Sequence, residues 1–179
     1  MSLLAAAVET TTAWPKQQSK IMIVDDDADL RHALGIRLRA NHYHILSTGD
    51  GYSALALAQK EHPDLVLLDL GLPGFATGAA VLKHMQEFPS LAPIPVIVLT
   101  GRDLRDYEQP MLELGAAGCF QKPVDDVELL DFICHCLHPN DKKEGIPASQ
   151  FHRNPKSGRF SKGPNSNLKG GAQSTSYRT

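Results

Sequence analysis

Acidic residues in this chain stand where apolar runs stop. Asp25-Asp26-Asp27 closes the run Ile21–Val24, and Asp69 closes Leu65–Leu68. Thr100 ends Val96–Leu99, and Lys122-Pro123 follows Cys119-Phe120-Gln121. If these runs are neighbouring strands, three carboxylates, a hydroxyl and an ammonium meet on one edge. Packed carboxylates repel and raise one another's pKa, and a divalent cation removes that cost. Oxygen-only ligands with open water positions suit Mg²⁺ better than zinc. The alternative, unrelated acids at loop starts, fits less well, because the spacing puts every one of them on the same edge.

The runs have the lengths and flanks of strands, and the segments between them have a helical period. Ile21–Val24 is a short apolar run ending in acids, hence a buried strand. Leu30, Leu34 and Leu38 recur every four residues, which predicts a helix to about Ala40. His44–Ser47 reads as a weaker second strand, and Gly49–Glu61 as an Ala/Leu-rich helix stopped before Pro63. Asp64–Asp69 is the third strand, followed by a helix lined by Gly78, Leu82 and Met85. Val96–Thr100 is the fourth strand and Leu104–Leu114 the fourth helix, with Gly115 as its stop signal. Cys119–Gln121 is a short fifth strand. Val127, Leu130, Cys134 and Leu137 line a last helix. Alternation of this kind predicts an α/β fold with a parallel sheet covered on both faces, whose function sits beyond the carboxyl ends of the strands.

Composition limits the alternatives. The chain has 179 residues, 42% of them hydrophobic and 21% charged, enough for one globular domain plus tails. No apolar run approaches the roughly 18 residues of a membrane span. The start, MSLLAAAVETTTAWP, lacks a basic n-region, so a cytoplasmic protein is expected. Cys119, Cys134 and Cys136 make no disulfide framework, which fits a reducing compartment. The net charge of −2 is uneven. Residues 1–139 hold 10 Lys/Arg against 18 Asp/Glu, whereas residues 140–179 hold 8 against 2. The expected organisation is a flexible extension over 1–18, a folded domain over 19–138 and a disordered basic tail over 139–179, rich in Gly, Pro, Ser, Asn and Lys.

IMIVDDDADLR, PDLVLLDLGLPG, PVIVLTGRD and GCFQKP, in this order and spacing, resemble the receiver domain of two-component response regulators, over about residues 19–138. The resemblance implies a flavodoxin-like, doubly wound, five-stranded parallel sheet of order 2-1-3-4-5 with five helices. It implies Asp69 as the phospho-acceptor, Asp26 as a direct Mg²⁺ ligand, Asp25 as one acting mainly through water, and the Gly71 backbone carbonyl as a third protein ligand. It also implies Thr100 as the switch hydroxyl, Lys122 as the lysine that pairs with the phosphoryl group, and a cis Lys122–Pro123 bond. The implied donor is a sensor histidine kinase or histidine phosphotransferase. The chemistry agrees: a carboxylate can attack phosphorus, and phosphoryl transfer asks mainly for positioning and charge neutralisation. Asp27, one acid too many, is expected to cap the first helix.

The sequence departs from the family pattern in two places. Cys119 stands where the family usually carries Tyr or Phe, with Phe120 facing the other side of the strand. Gly78 stands one residue later than usual after Pro73, read as a one-residue loop insertion. Gly71 and Arg102 occupy the two family positions that tune hydrolysis. Gly71 offers no side chain to orient water, and Arg102 is expected to lie over the phosphoryl group, so slow hydrolysis is expected. The leading expectation is a phosphorylation-controlled binding module without an effector domain, or a relay intermediate, rather than an enzyme beyond its own phosphorylation and dephosphorylation. A Mg²⁺-dependent phosphatase with an aspartate nucleophile is the alternative, but Gly71 stands where a second acid is wanted. A regulator acting on DNA or RNA through the tail lacks a folded binding unit. Nucleic acid is therefore expected at most weakly, and a membrane not at all. Dimerisation through the fourth-helix face and the identity of the downstream partner stay open. Cys134 and His138, four apart on one helix, are read as packing rather than metal ligands.

Overall fold

The computed structural model describes residues 18–74 and 76–139, together with the backbone of two short strands further on. Five strands form one parallel sheet: β1 (Lys20–Val24), β2 (His44–Thr48), β3 (Leu65–Asp69), β4 (Val96–Thr100) and β5 (Gly118–Gln121). Their order is β2-β1-β3-β4-β5, as the resemblance implied. Between them run α1 (Ala28–Ala40), α2 (Gly51–Glu61), α3 (Gly78–Glu87) and α4 (Leu104–Glu113), and α5 (Asp126–Leu137) follows β5. The crossover from β1–β2 to β3 on the far side of β1 makes the switch point, and it puts the ends of β1, β3 and β4 side by side.

Alternation within each buried strand separates two cores. Met22, Val24, Val66, Leu68, Val96 and Val98 point to one face, where α2, α3 and α4 supply Ala54, Ala58, Leu82, Met85 and Met111. Ile21, Ile23, Leu65, Leu67, Ile97 and Leu99 point to the other, against Leu34 and Leu38 of α1 and Leu129, Phe132 and Ile133 of α5. β3 and β4 are buried along their whole length, which explains why they read as continuous apolar runs. β2 is an edge strand with exposed positions, which explains its weaker signal.

Helix starts follow local capping chemistry. Asp27 accepts from the N–H groups of Asp29 and Leu30, so it is the cap expected for α1. Asp50 accepts from Ser53 N–H, and this moves the start of α2 from Gly49 to Gly51. The bonds from Ser53 hold the Asp50 carboxyl below its usual range. Thr77, Asp103 and Asp125 cap α3, α4 and α5. Gly115, after α4, adopts φ +100, the left-handed conformation that ends a helix. Gly78 lies so close to the end of β3 that a Cβ would stand 2.7 Å from Leu70 Cα. The glycine that comes one residue late in the sequence is therefore the one that the α3–β3 packing requires.

Two short stretches of the basic tail are described. Phe151–Arg153 (β6) and Phe160–Lys162 (β7) pair as antiparallel strands, where a disordered segment was expected. The rest of that expectation, and residues 1–17 of the flexible extension expected over 1–18, fall outside the described residues.

Candidate functional site

Each site residue owes its place to a strand end. β1 and β3 run parallel with Val24 opposite Leu68, so Asp25 and Asp69 leave the sheet side by side. β3 and β4 pair Asp69 with Leu99, so Thr100 lies one step beyond. Lys122 follows β5, its backbone N–H donating to the Thr100 carbonyl at 2.7 Å. The Lys122–Pro123 bond is cis, as the resemblance implied.

Carboxylate oxygens of Asp25, Asp26 and Asp69 lie within 4.8 Å of one another, the one group of this kind among the described residues that could hold a metal ion. Asp25 is 1% exposed and Asp69 5%, while Asp26 is open to solvent. Lys122 Nζ bridges the two buried acids, at 2.6 Å from Asp25 Oδ2 and 2.9 Å from Asp69 Oδ1. The remaining oxygens are also used: Asp27 N–H donates to Asp25 Oδ1 at 3.0 Å, and Gly71 N–H to Asp69 Oδ2 at 2.9 Å. Burial alone would lower the Lys122 pKa. The hydrogen bonds and charges of Asp25 and Asp69 together outweigh burial and raise it, so the ammonium stays charged.

One ammonium against three ionised carboxylates leaves a local excess of two negative charges. Hard oxygen donors, two of them rigidly held and one solvated, fit a small divalent cation that keeps water ligands. Thr100 is 1% exposed, and its Oγ1 accepts the Arg102 N–H at 3.0 Å. The structure thus brings Asp25, Asp26, Asp69 and Lys122 into one site, with Gly71 bonded to Asp69 and Thr100 at its edge.

The two departures also have a place. Cys119 is a buried member of the α2–α3–α4 core, and burial, with Glu108 adding to it, pushes its thiol up to about 12. Phe120 faces the opposite core, edge-on to Phe132 at 5.4 Å between ring centroids. Arg102 does not lie over Asp69. Its guanidinium sits over the Tyr107 ring, 5.2 Å from the centroid, and donates to Tyr107 Oη at 2.9 Å. Sequence reasoning missed this pair, because residues five apart across a helix start follow no helical period. The Lys122–Asp25 bond was missed as well, since 97 residues separate the partners.

The response regulator receiver domain matches residues 21–133. The chain belongs to that family. It is 38% identical over 112 residues to response regulator PleD of Caulobacter vibrioides, a match covering 62% of this chain and 24% of that protein. It is 38% identical over 114 residues to sporulation initiation phosphotransferase F of Bacillus subtilis, covering 64% of this chain and 90% of the relative. Among solved structures, the chemotaxis response regulator CheY4 of Vibrio cholerae superposes with a TM-score of 0.62 at 28% identity, covering 67% of this chain and 99% of that one. The receiver spans about a quarter of PleD and nearly all of the phosphotransferase. Among the described residues no helix is long and apolar enough to cross a membrane.

Proposed function

We propose that this receiver takes a phosphoryl group onto Asp69 in a Mg²⁺-dependent reaction with a phosphohistidine donor, a sensor histidine kinase or histidine phosphotransferase. One observation carries the reading: Lys122 Nζ lies 2.9 Å from Asp69 Oδ1 beside the Asp25–Asp26–Asp69 cluster. A nucleophile, a fixed cation and a cation-binding acid pair are what phosphoryl transfer asks of a protein. Asp25, Asp26 and Asp69, with the Gly71 carbonyl, would hold Mg²⁺. When bound, the ion neutralises charge on the transferring phosphoryl group.

The chain's own residues do the rest. An Asp69 carboxylate oxygen attacks phosphorus, an O–P bond forms, the P–N bond to the donor imidazole breaks, and its electron pair returns to the ring. Gly71 N–H and Lys122 orient the Asp69 carboxylate beforehand. Lys122 is already charged and needs only a small shift to meet a phosphoryl oxygen. Thr100 offers its hydroxyl to another. The added negative charge then alters the α4–β5 face, which a partner reads. On this reading the protein is a cytoplasmic signalling module that turns over only its own phosphoryl group. The phosphatase alternative is weakened at Gly71, whose N–H is bonded to Asp69 and which has no side chain to protonate a leaving group.

The test is incubation with phosphoramidate and Mg²⁺, followed by intact mass measurement. Wild type should gain one phosphoryl group and Asp69→Asn none; equal labelling of both would overturn the assignment.

A further inference from the structure

The five-stranded sheet has two edges, and they differ. β2 exposes His44 and Ser47, whereas β5 buries Gly118, Cys119 and Phe120 and exposes Gln121. Ala117 N–H donates toward β4, to the Val96 carbonyl at 2.7 Å. Strand alternation turns the N–H groups of Gly118 and Phe120 the other way, to the outer edge. Such a row of outward groups is a template for a further chain, and native proteins cover it. β7 lies against β5, while its own strand partner is β6.

Charge is matched across this contact. The helices α4 and α5 flank β5 on its two faces. α4 carries Asp106, Glu108 and Glu113 against Arg105, and α5 carries Asp126, Glu128 and Asp131 with no Lys or Arg. Glu108 stands near β5, since its charge helps to push the Cys119 thiol up. Glu128 lies one turn before Phe132, whose ring packs so closely on Gly118 that a Cβ there would meet it at 2.6 Å. The segment 151–162, which contains β6 and β7, holds Arg153, Lys156, Arg159 and Lys162 and no Asp or Glu. Residues 138–150 have a reach of roughly 40 Å. That is more than twice the ~18 Å length of α5, so the connection back to β5 is easily made.

We propose that the basic segment 151–162 is an intramolecular ligand of the β5 edge, held between the acids of α4 and α5. The tether supplies an effective concentration on the order of millimolar, so a modest attraction is enough. Exposed charge pairs contribute little singly and are screened by salt, so the cover comes off readily. The segment is then the resident occupant of the face between α4 and α5, and a protein partner that reads this face displaces it. The docking needs neither a phosphoryl group nor a metal, so its failure and that of the proposed phosphoryl transfer are separate events.

Every residue of the two cores lies between Ile21 and Leu137, so a chain ending at residue 139 keeps the folded body. The experiment measures amide exchange residue by residue by NMR at low salt in three proteins. They are the full chain, the chain ending at residue 139, and the full chain with Arg153→Glu, Lys156→Glu, Arg159→Glu and Lys162→Glu combined. Gly118 and Phe120 should exchange about fivefold more slowly in the full chain than in the other two. Cys119, paired within the sheet to Val98, should exchange equally in all three. Raising the salt to ~0.5 M should remove the difference, and a tenfold change in protein concentration should leave it unaltered. Equal exchange of Gly118 and Phe120 in all three proteins would overturn the proposal, as would protection that persists in the four-Glu chain. Protection that grows with protein concentration would give the segment to a second copy and overturn the intramolecular assignment.

Discussion

The cation balance at the strand ends decides how single residues behave. Lys122 compensates two buried acids, and Asp26 stands free of it, so Asp26 is the carboxylate with most to give an incoming cation. Mg²⁺ should stabilise the protein by about 1.4 kcal/mol at ten times its dissociation constant, read as a rise in melting temperature of a few degrees. Asp26→Ala should abolish most of that rise. Asp27→Ala should keep it while costing about 1 kcal/mol of basal stability through the lost α1 cap. A metal response lost equally in both variants would mean that Asp26 is not a ligand. Cys119 makes a pH-dependent prediction. Its folded pKa of about 12 lies above the unfolded value of about 8.5. The unfolded chain therefore releases this proton first as pH rises. The stabilisation is fully present below about pH 8.5 and is lost progressively toward pH 12. Cys119→Ala should flatten the alkaline limb of a stability–pH curve. In the native protein Cys119 should alkylate far more slowly than Cys134 and Cys136, which are partly exposed. Rapid native-state labelling of Cys119 would contradict its place in the core.

Among the elements, α4 is the exception to a well-anchored frame. α3 buries Val81, Leu82 and Met85, and α5 buries Leu129, Phe132 and Ile133, whereas α4 buries only Met111. Pro110, exposed in the second turn, leaves the Asp106 carbonyl without its i+4 donor. Pro110→Ala should therefore stabilise the helix by ~1–2 kcal/mol. That is less than the full propensity difference, because the unfolded chain also gains freedom. Amide exchange over residues 104–113 should slow accordingly, with the other helices unchanged. Exchange that stays the same would show that α4 is held by tertiary contacts rather than by its own backbone. The sequence signalled this helix as Leu104–Leu114, with Gly115 as its stop. Which face the helix would bury, and how little it would bury, depended on the neighbours that β4 and β5 supply.

For the molecule as a whole, charge is divided between an acidic folded body and a basic tail. Retention of full-length protein by nucleic acid in a gel shift should be weak, should vanish by ~0.2 M salt, and should disappear when residues 140–179 are removed. Retention that survives truncation would place a binding surface on the receiver itself. The fold class was legible because strands buried on both faces must be continuously apolar, and Leu65–Leu68 and Val96–Leu99 are. The site residues were legible because βαβ connections put every strand's carboxyl end on one edge, so Asp25, Asp69 and Thr100 had to meet once the strands were placed. Helix starts were partly legible, since a cap is a local side chain-to-backbone bond. Asp27 stood out as the surplus acid, while Asp50 was passed over beside two glycines. The side-chain partnerships were decided by tertiary structure alone. Lys122 reaching Asp25 as well as Asp69, Arg102 turning to Tyr107 instead of the site, and Gly78 lying against Leu70 all depend on distances across separate elements. No local pattern encodes such a distance; the packing of the sheet against its helices sets it.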